Sequence, residues 1–428
     1  MELRQRGLQA AQALRRQLWL DQLRQCRDQG RLQRSGGEKE KIGESMKAAR
    51  LASIDMLRGF VIILMALDHT RDFFGLAPFG PEDLSQTTPG WFMTRWVTHL
   101  CATVFVFLAG SSAWLRGARS ASDVLPDARP ALSRYLLSRG AMLLVLEWTW
   151  ISFSWQFGYN VTIFQVIWVL GAGMIVLAGL VWLPRWLVAA FAALLICGHN
   201  ALDGWQPGGL LWQALHQGGF YPVAGNYGLV IVYPLIPWLG VMAAGYAAAP
   251  VFRLPAPQRQ RRLLLSAAVL LAAFILLRTW NVYGDPAPWA PQNKGFVFDV
   301  LSYLRVSKYP PSLQYLCVTG AIGLALLAAF EHVRTVRPLM LFGGSPLFFY
   351  TVHIALIHLL AGVYFMARYG ETPTFIGGAL KLPEGYTPSL LTTYTAWLAI
   401  LALMYGLTLL WQRRQRPMLA PGVGSGAQ

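Results

Sequence analysis

The chain has 428 residues, 55% hydrophobic and only 13% charged, with a formal net charge of +16. A soluble domain carries about a quarter charged residues, so this composition excludes an ordinary water-solvated fold and predicts an all-α polytopic membrane protein. The positive charge lies in a terminal tail and short loops, the pattern that orients membrane helices, and it gives no reason to expect a nucleic-acid partner.

Residues 1–46 are rich in Arg and Gln and lack an apolar core, which excludes a signal peptide. A basic interfacial helix, a disordered tail and a start codon placed too early, with Met46 as the natural start, all fit. Residues 47–415 form the membrane region, and 416–428 a C-terminal tail. Cys26, Cys101, Cys197 and Cys317 stand far apart and suggest neither a disulfide framework nor a zinc site.

A crossing needs about 20 apolar residues. Such segments are expected near 52–74, 96–116, 135–155, 160–182, 186–199, 228–249, 262–281, 312–331, 344–366 and 389–411. This count of about ten puts the basic loops, such as Arg253 to Arg262 and Arg334 to Arg337, on one side with both termini, which predicts cytoplasmic ends. No internal repeat, heptad pattern or phosphate-binding glycine loop is present.

Within the first segment, SIDMLRGFVIILMALDHTRDFF, Arg58 and His69 lie about 16 Å apart along a helix axis. At 100° per residue they share one face, with Asp55, Met65 and Asp72 close to it. Intramembrane ionisable residues are costly, so a polar stripe points to a cleft, although Asp55 and Arg58 could equally be an anchoring i,i+3 pair. Arg71 points elsewhere and suits pairing with Asp68 or snorkelling. The second segment brings His99 to nearly the depth of Asp68 and His69, and its small run Ala109–Ser112 allows close helix approach. Glu147 is a buried acid, either a proton relay or a hydrogen-bonded structural group. Tyr350 and His353 share a face of the ninth segment, while His358 points away. His69, His99 and His353 are the site candidates among the histidines, and their spacing matches no metal motif, so no metal is expected.

Arg58 with ten intervening residues before His69 resembles the R-x10-H signature of membrane acyltransferases that modify cell-surface sugars. RLASIDMLRGFVIILMALDHTRDFF, THLCATVFVFLAGSSAWLR, YPLIPWLGVMAAGY, SKYPPSLQYL and GGSPLFFYTVHIALIHLL together resemble the heparan-alpha-glucosaminide N-acetyltransferase-like family, in its bacterial branch, over about residues 50–415. The resemblance implies transfer of an acetyl group from cytoplasmic acetyl-CoA to a sugar amine or hydroxyl across a bacterial cytoplasmic membrane. In the lysosomal enzyme the catalytic histidine lies in the loop before the second crossing. Residues 75–95 contain none here, so His69 or His99 must take that role.

On that reading Arg58, with Asp55, sits at the CoA entrance. His69 takes the acceptor's proton, with Asp68 or Asp72 fixing its tautomer, and His99 is a second acid–base group, an oxyanion donor or an acceptor-binding residue. Direct transfer and an acetyl-histidine intermediate both remain open. The implied partners are the bilayer and a glycan or amino-sugar acceptor, with a homodimer left open. The alternatives are a proton-coupled transporter or flippase using the same stripe, and a non-catalytic membrane scaffold.

Overall fold

The structure, a computed structural model, describes residues 52–118, 123–225, 227–376 and 379–415. The two tails, 1–46 and 416–428, lie outside the described residues.

The described chain is mostly helical. Its main helices are α1 (52–74), α2 (Leu100–Gly117), α3 (Arg129–Leu146), α4 (Val166–Leu180), α5 (Arg185–Gly198), α6 (Leu235–Ala248), α7 (Ala256–Trp280), α8 (Leu313–Ala329), α9 (Pro346–Tyr369) and α10 (Leu390–Gln415). Among the described residues, seven helical stretches are long and apolar enough to cross a bilayer. They include Pro89–Gly117, where α2 continues a shorter helix, and Pro126–Gln156, which carries α3. The 15-residue α4 and the 17-residue α8 are apolar but shorter.

Two small sheets depart from the all-α expectation. The segment expected as crossing from residue 160 begins instead with strand β1 (Val161–Phe164), and that from 228 with β3 (Tyr227–Ile231). Both are short runs rich in β-branched residues, which favour a pleated surface. β1 pairs parallel with β3 in the register Val161↔Gly228, and β2 (Gly219–Ala224) pairs antiparallel with β3. A second hairpin joins β4 (Thr374–Ile376) to β5 (Ala379–Lys381).

Small residues set the closest helix contacts. A Cβ at Gly110 of α2 would stand 2.0 Å from the Met242 carbonyl oxygen, and one at Gly245 of α6 would stand 2.0 Å from that of Phe107. Ser111 Oγ donates to the Gly245 carbonyl at 3.0 Å across the same seam. The close approach expected at Ala109–Ser112 is therefore made by α6. A Cβ at Gly343 would meet the Asp55 carbonyl oxygen at 1.8 Å, so the start of α1 rests directly on the chain leading into α9.

The loops at one end of the bundle are tied together. Lys294 donates to the carbonyls of Leu84 and Ser85, Tyr386 to that of Phe74, and the Leu313 amide to Asn200 Oδ1. Asp285 Oδ2 accepts from the Ser307 amide and the Ser312 hydroxyl, at 2.9 and 2.6 Å, which fixes the turn carrying Lys308.

Candidate functional site

The shared face of α1 is turned toward α9. At one end, Arg58 Nη1 donates to Asp55 Oδ1 at 2.7 Å and to the Gly343 carbonyl at 3.1 Å, while Nη2 reaches Ser112 Oγ at 3.4 Å. The anchoring pair expected of Asp55 and Arg58 is present, yet Arg58 also lines a cavity of about 230 Å³. Apolar side chains of α2, α3 and α4 form most of its wall, and Arg139 and Tyr350 line it as well.

Tyr350 is buried, and its hydroxyl has no hydrogen-bond partner. Glu147 is fully buried and opens a π-helical turn, Glu147–Ile151, that interrupts the helical run from Arg129 to Gln156. One carboxylate oxygen accepts from the Gln165 amide and the other has no partner. Such turns often mark functional positions in helices. Glu147 is thus hydrogen-bonded, as the structural reading expected, but only on one side.

One turn beyond Tyr350, α9 presents His353, which is fully buried. Its Nδ1 stands 2.9 Å from the carbonyl oxygens of both Phe349 and Tyr350. Carbonyls only accept, so Nδ1 carries the hydrogen, and Nε2 of the neutral ring is an acceptor. His69 Nδ1 lies 3.2 Å from that Nε2 and must therefore donate to it. This leaves the His69 Nε2 lone pair free for chemistry. The half-buried His69 ring also packs on Trp155, with ring centroids 5.0 Å apart.

His353, rather than Asp68 or Asp72, is thus the group that orients His69, and this corrects the sequence expectation. The carboxylates are drawn off by cations. Arg95 Nη1 donates to both oxygens of Asp68 at 2.7 and 2.8 Å, the Thr98 hydroxyl donates at 2.8 Å, Arg71 pairs at 2.8 Å, and Lys308 stands 3.6 Å away. Asp72 is held by Arg71 at 2.6 Å. Arg71 pairs with Asp68 as expected.

His99 does not join His69 and Asp68 in one cluster. Its Nε2 stands 3.3 Å from Glu82 Oε1, its ring packs on Tyr315, and its carbonyl accepts the Tyr315 hydroxyl at 2.6 Å. Glu82 also lies 3.7 Å from Arg95, so Glu82 and Arg95 link His99 to Asp68. Burial raises the Glu82 carboxyl, but His99, Arg95 and Lys308 outweigh it and hold it down to about 2. The three carboxylates Asp68, Asp72 and Glu82 face three cations, Arg71, Arg95 and Lys308, so the network is balanced in charge.

Sequence reasoning missed Glu82, Arg95, Lys308 and Trp155. Two signals were available. Arg95 is the charge nearest His99 in the sequence before α2 and Glu82 belongs to the acidic pair Glu82–Asp83 that precedes it, and Lys308 lies within the quoted segment SKYPPSLQYL. Separately, His199, Asp203 and His216 bring three metal-type donor atoms within 4.8 Å of one another at the end of α5.

No curated protein matches the chain. A family model described as heparan-alpha-glucosaminide N-acetyltransferase, catalytic, matches residues 50–281, which takes in α1 to α7 and with them Arg58, His69, Arg95, His99 and Glu147. The chain belongs to the heparan-alpha-glucosaminide N-acetyltransferase catalytic family.

Proposed function

We propose that the protein moves an acetyl group from cytoplasmic acetyl-CoA to a sugar amine or hydroxyl on the outer side of the membrane, with both chain ends cytoplasmic and about ten crossings between them. The observation that carries this reading is the His69–His353 pair. It fixes Nδ1 of the neutral His69 ring as the donor, which leaves Nε2 as the base or nucleophile that acyl transfer requires.

Arg58 lies at the end of the polar face nearer the basic loops and lines the cavity there, so it suits the phosphates of CoA, with Asp55 holding its guanidinium. The cavity, with its apolar walls and the free Tyr350 hydroxyl, suits the pantetheine arm. The arm's thioester carbonyl then comes to His69. His69 Nε2 takes the proton of the attacking amine or hydroxyl as the carbonyl carbon is attacked, and the CoA thiolate leaves. The imidazolium so formed donates through Nδ1 to His353. His99 and Glu82 stand beyond Arg95 and suit the binding of a polar acceptor. Donor and acceptor meet without a metal in this scheme. Membership of the family and apolar helices fit for a bilayer support the reading.

Radiolabelled acetyl-CoA supplied to the protein in proteoliposomes tests it. Label is expected to pass to an added amino sugar, and His69→Ala is expected to cut transfer by at least 10²-fold. Unchanged transfer in His69→Ala, or sugar transport without any dependence on CoA, overturns the proposal.

A further inference from the structure

His199 and His216 play no part in the acyl path, yet they are among the most enclosed polar side chains described, at 1% and 2% exposure. At the end of α5 a 3-10 turn, His199–Leu202, carries His199 inward, and Asp203 follows one turn on. The chain then runs out and returns through a π-helical turn, Gln213–Gln217, that directs His216 to the same spot.

Neither ring nitrogen of His199 has a hydrogen-bond partner, nor does Nδ1 of His216. Burying unpartnered polar atoms is unfavourable, so native structures nearly always satisfy them. His199 offers a ring nitrogen, Asp203 a carboxylate oxygen and His216 a ring nitrogen, all within 4.8 Å of one another. His216 Nε2 and Asp203 Oδ1 are already 3.0 Å apart. Four-coordinate zinc with bonds of about 2.0–2.1 Å spaces its donors about 3.4 Å apart, so small side-chain rotations close the triangle.

The surroundings fix the carboxylate in place. Asn200 Nδ2 donates to Asp203 Oδ2 at 2.8 Å, and Asn200 Oδ1 accepts from the Leu313 amide at 2.9 Å. Outer hydrogen bonds of this kind orient a ligand and raise affinity. We infer that His199, Asp203 and His216 form a binding site for a divalent first-row transition-metal ion, with zinc the closest chemical fit. Two imidazoles and one carboxylate select such ions over calcium and magnesium, which take oxygen donors. Asp203 is a quarter exposed, so a water completes the coordination from the loop side. The ion clips the loop between Asp203 and His216 to the end of α5 and, through Asn200, to the start of α8.

The test uses tag-free, full-length protein stripped with a chelator and then titrated with Zn²⁺ or Co²⁺ alone. Uptake of one ion per chain is expected, with the intense visible absorption that Co²⁺ shows at low coordination number and a raised Tm. His199→Ala and His216→Ala are expected to weaken binding at least 100-fold, while His332→Ala, an exposed site elsewhere, leaves it unchanged. Asp203→Asn keeps the shape of the cluster if the alanine variants fail to fold, and it too is expected to weaken binding. No stoichiometric uptake, or equal affinity in the cluster variants and wild type, overturns the inference. The measurement does not depend on acetyl transfer, so it stands apart from the outcome of the labelled-donor experiment.

Discussion

His353 shows how one buried residue can decide which nitrogen of its neighbour carries the hydrogen. Its Nδ1–H is committed to two carbonyls of its own helical turn, so its Nε2 can only accept, and His69 can only donate to it. Replacing His353 with Phe keeps the volume and removes the acceptor. The His69 tautomer is then no longer fixed. His353→Phe is expected to lower kcat for acetyl transfer by about 10²-fold, within the range of general-base catalysis, and to leave KM for acetyl-CoA unchanged. A purely structural role would instead raise KM and lower Tm together.

Much of this arrangement was legible in the residues and some was not. The periodicity of α1 put Arg58 and His69 on one face, and the structure turns that face toward α9 and the chain leading into it, where Gly343 receives Arg58 and His353 receives His69. Helical spacing likewise put Tyr350 and His353 together. Periodicity is silent, however, on which partner a neighbouring helix presents. Asp68 seemed a natural partner for His69 by adjacency and Asp72 by lying close to the same face, but Arg71 holds Asp72. Adjacent residues on a helix are about 100° apart and do not face each other, and the cations from residues 95 and 308 claim Asp68 instead.

At the level of elements, the α2–α6 seam depends on absent side chains. Gly245→Ala would place a Cβ 2.0 Å from the Phe107 carbonyl, a backbone atom that cannot swing away. The helices must part, and overpacking of this kind costs about 1–3 kcal/mol. A lower Tm in detergent is expected for Gly245→Ala. Gly362→Ala in α9, where a Cβ meets nothing within 4 Å, is expected to leave Tm unchanged or raised. The small run in the sequence announced this contact. The sheets were harder to read, because a short β-branched run at the start of an apolar segment cannot be told from the helix that follows it by hydropathy. Val161–Phe164 became a strand only because β3, more than sixty residues later, pairs with it.

For the molecule as a whole, the network around Asp68 joins parts of the chain that are remote in sequence: α1, the segment from Glu82 to His99, and the turn at Lys308. Glu82 lies outside the apolar helices, and its folded pKa of about 2 is below its usual 4.5. The stability it contributes is therefore complete above about pH 4.5 and is lost as pH falls through about 2. Acid unfolding followed by fluorescence is expected to lose part of its slope between these values in Glu82→Gln, with little change in that slope at neutral pH. Length and composition announced the apolar helices. They could not announce a network whose members are brought together only when distant loops dock at one end of the bundle.

The hydrogen-bonded pair of imidazoles has a further consequence, for bioenergetics. A chain of exchangeable groups across a bilayer can carry current, but this one ends blind. Among the described residues, the hydrogen bonds of His353 Nδ1 run to the amide oxygens of Phe349 and Tyr350, which are far too weakly basic to pass a proton onward. A proton taken up at His69 must leave by the face through which it came. In the proposed reaction, the proton exchange at His69 would then leave any ion gradient across the membrane intact.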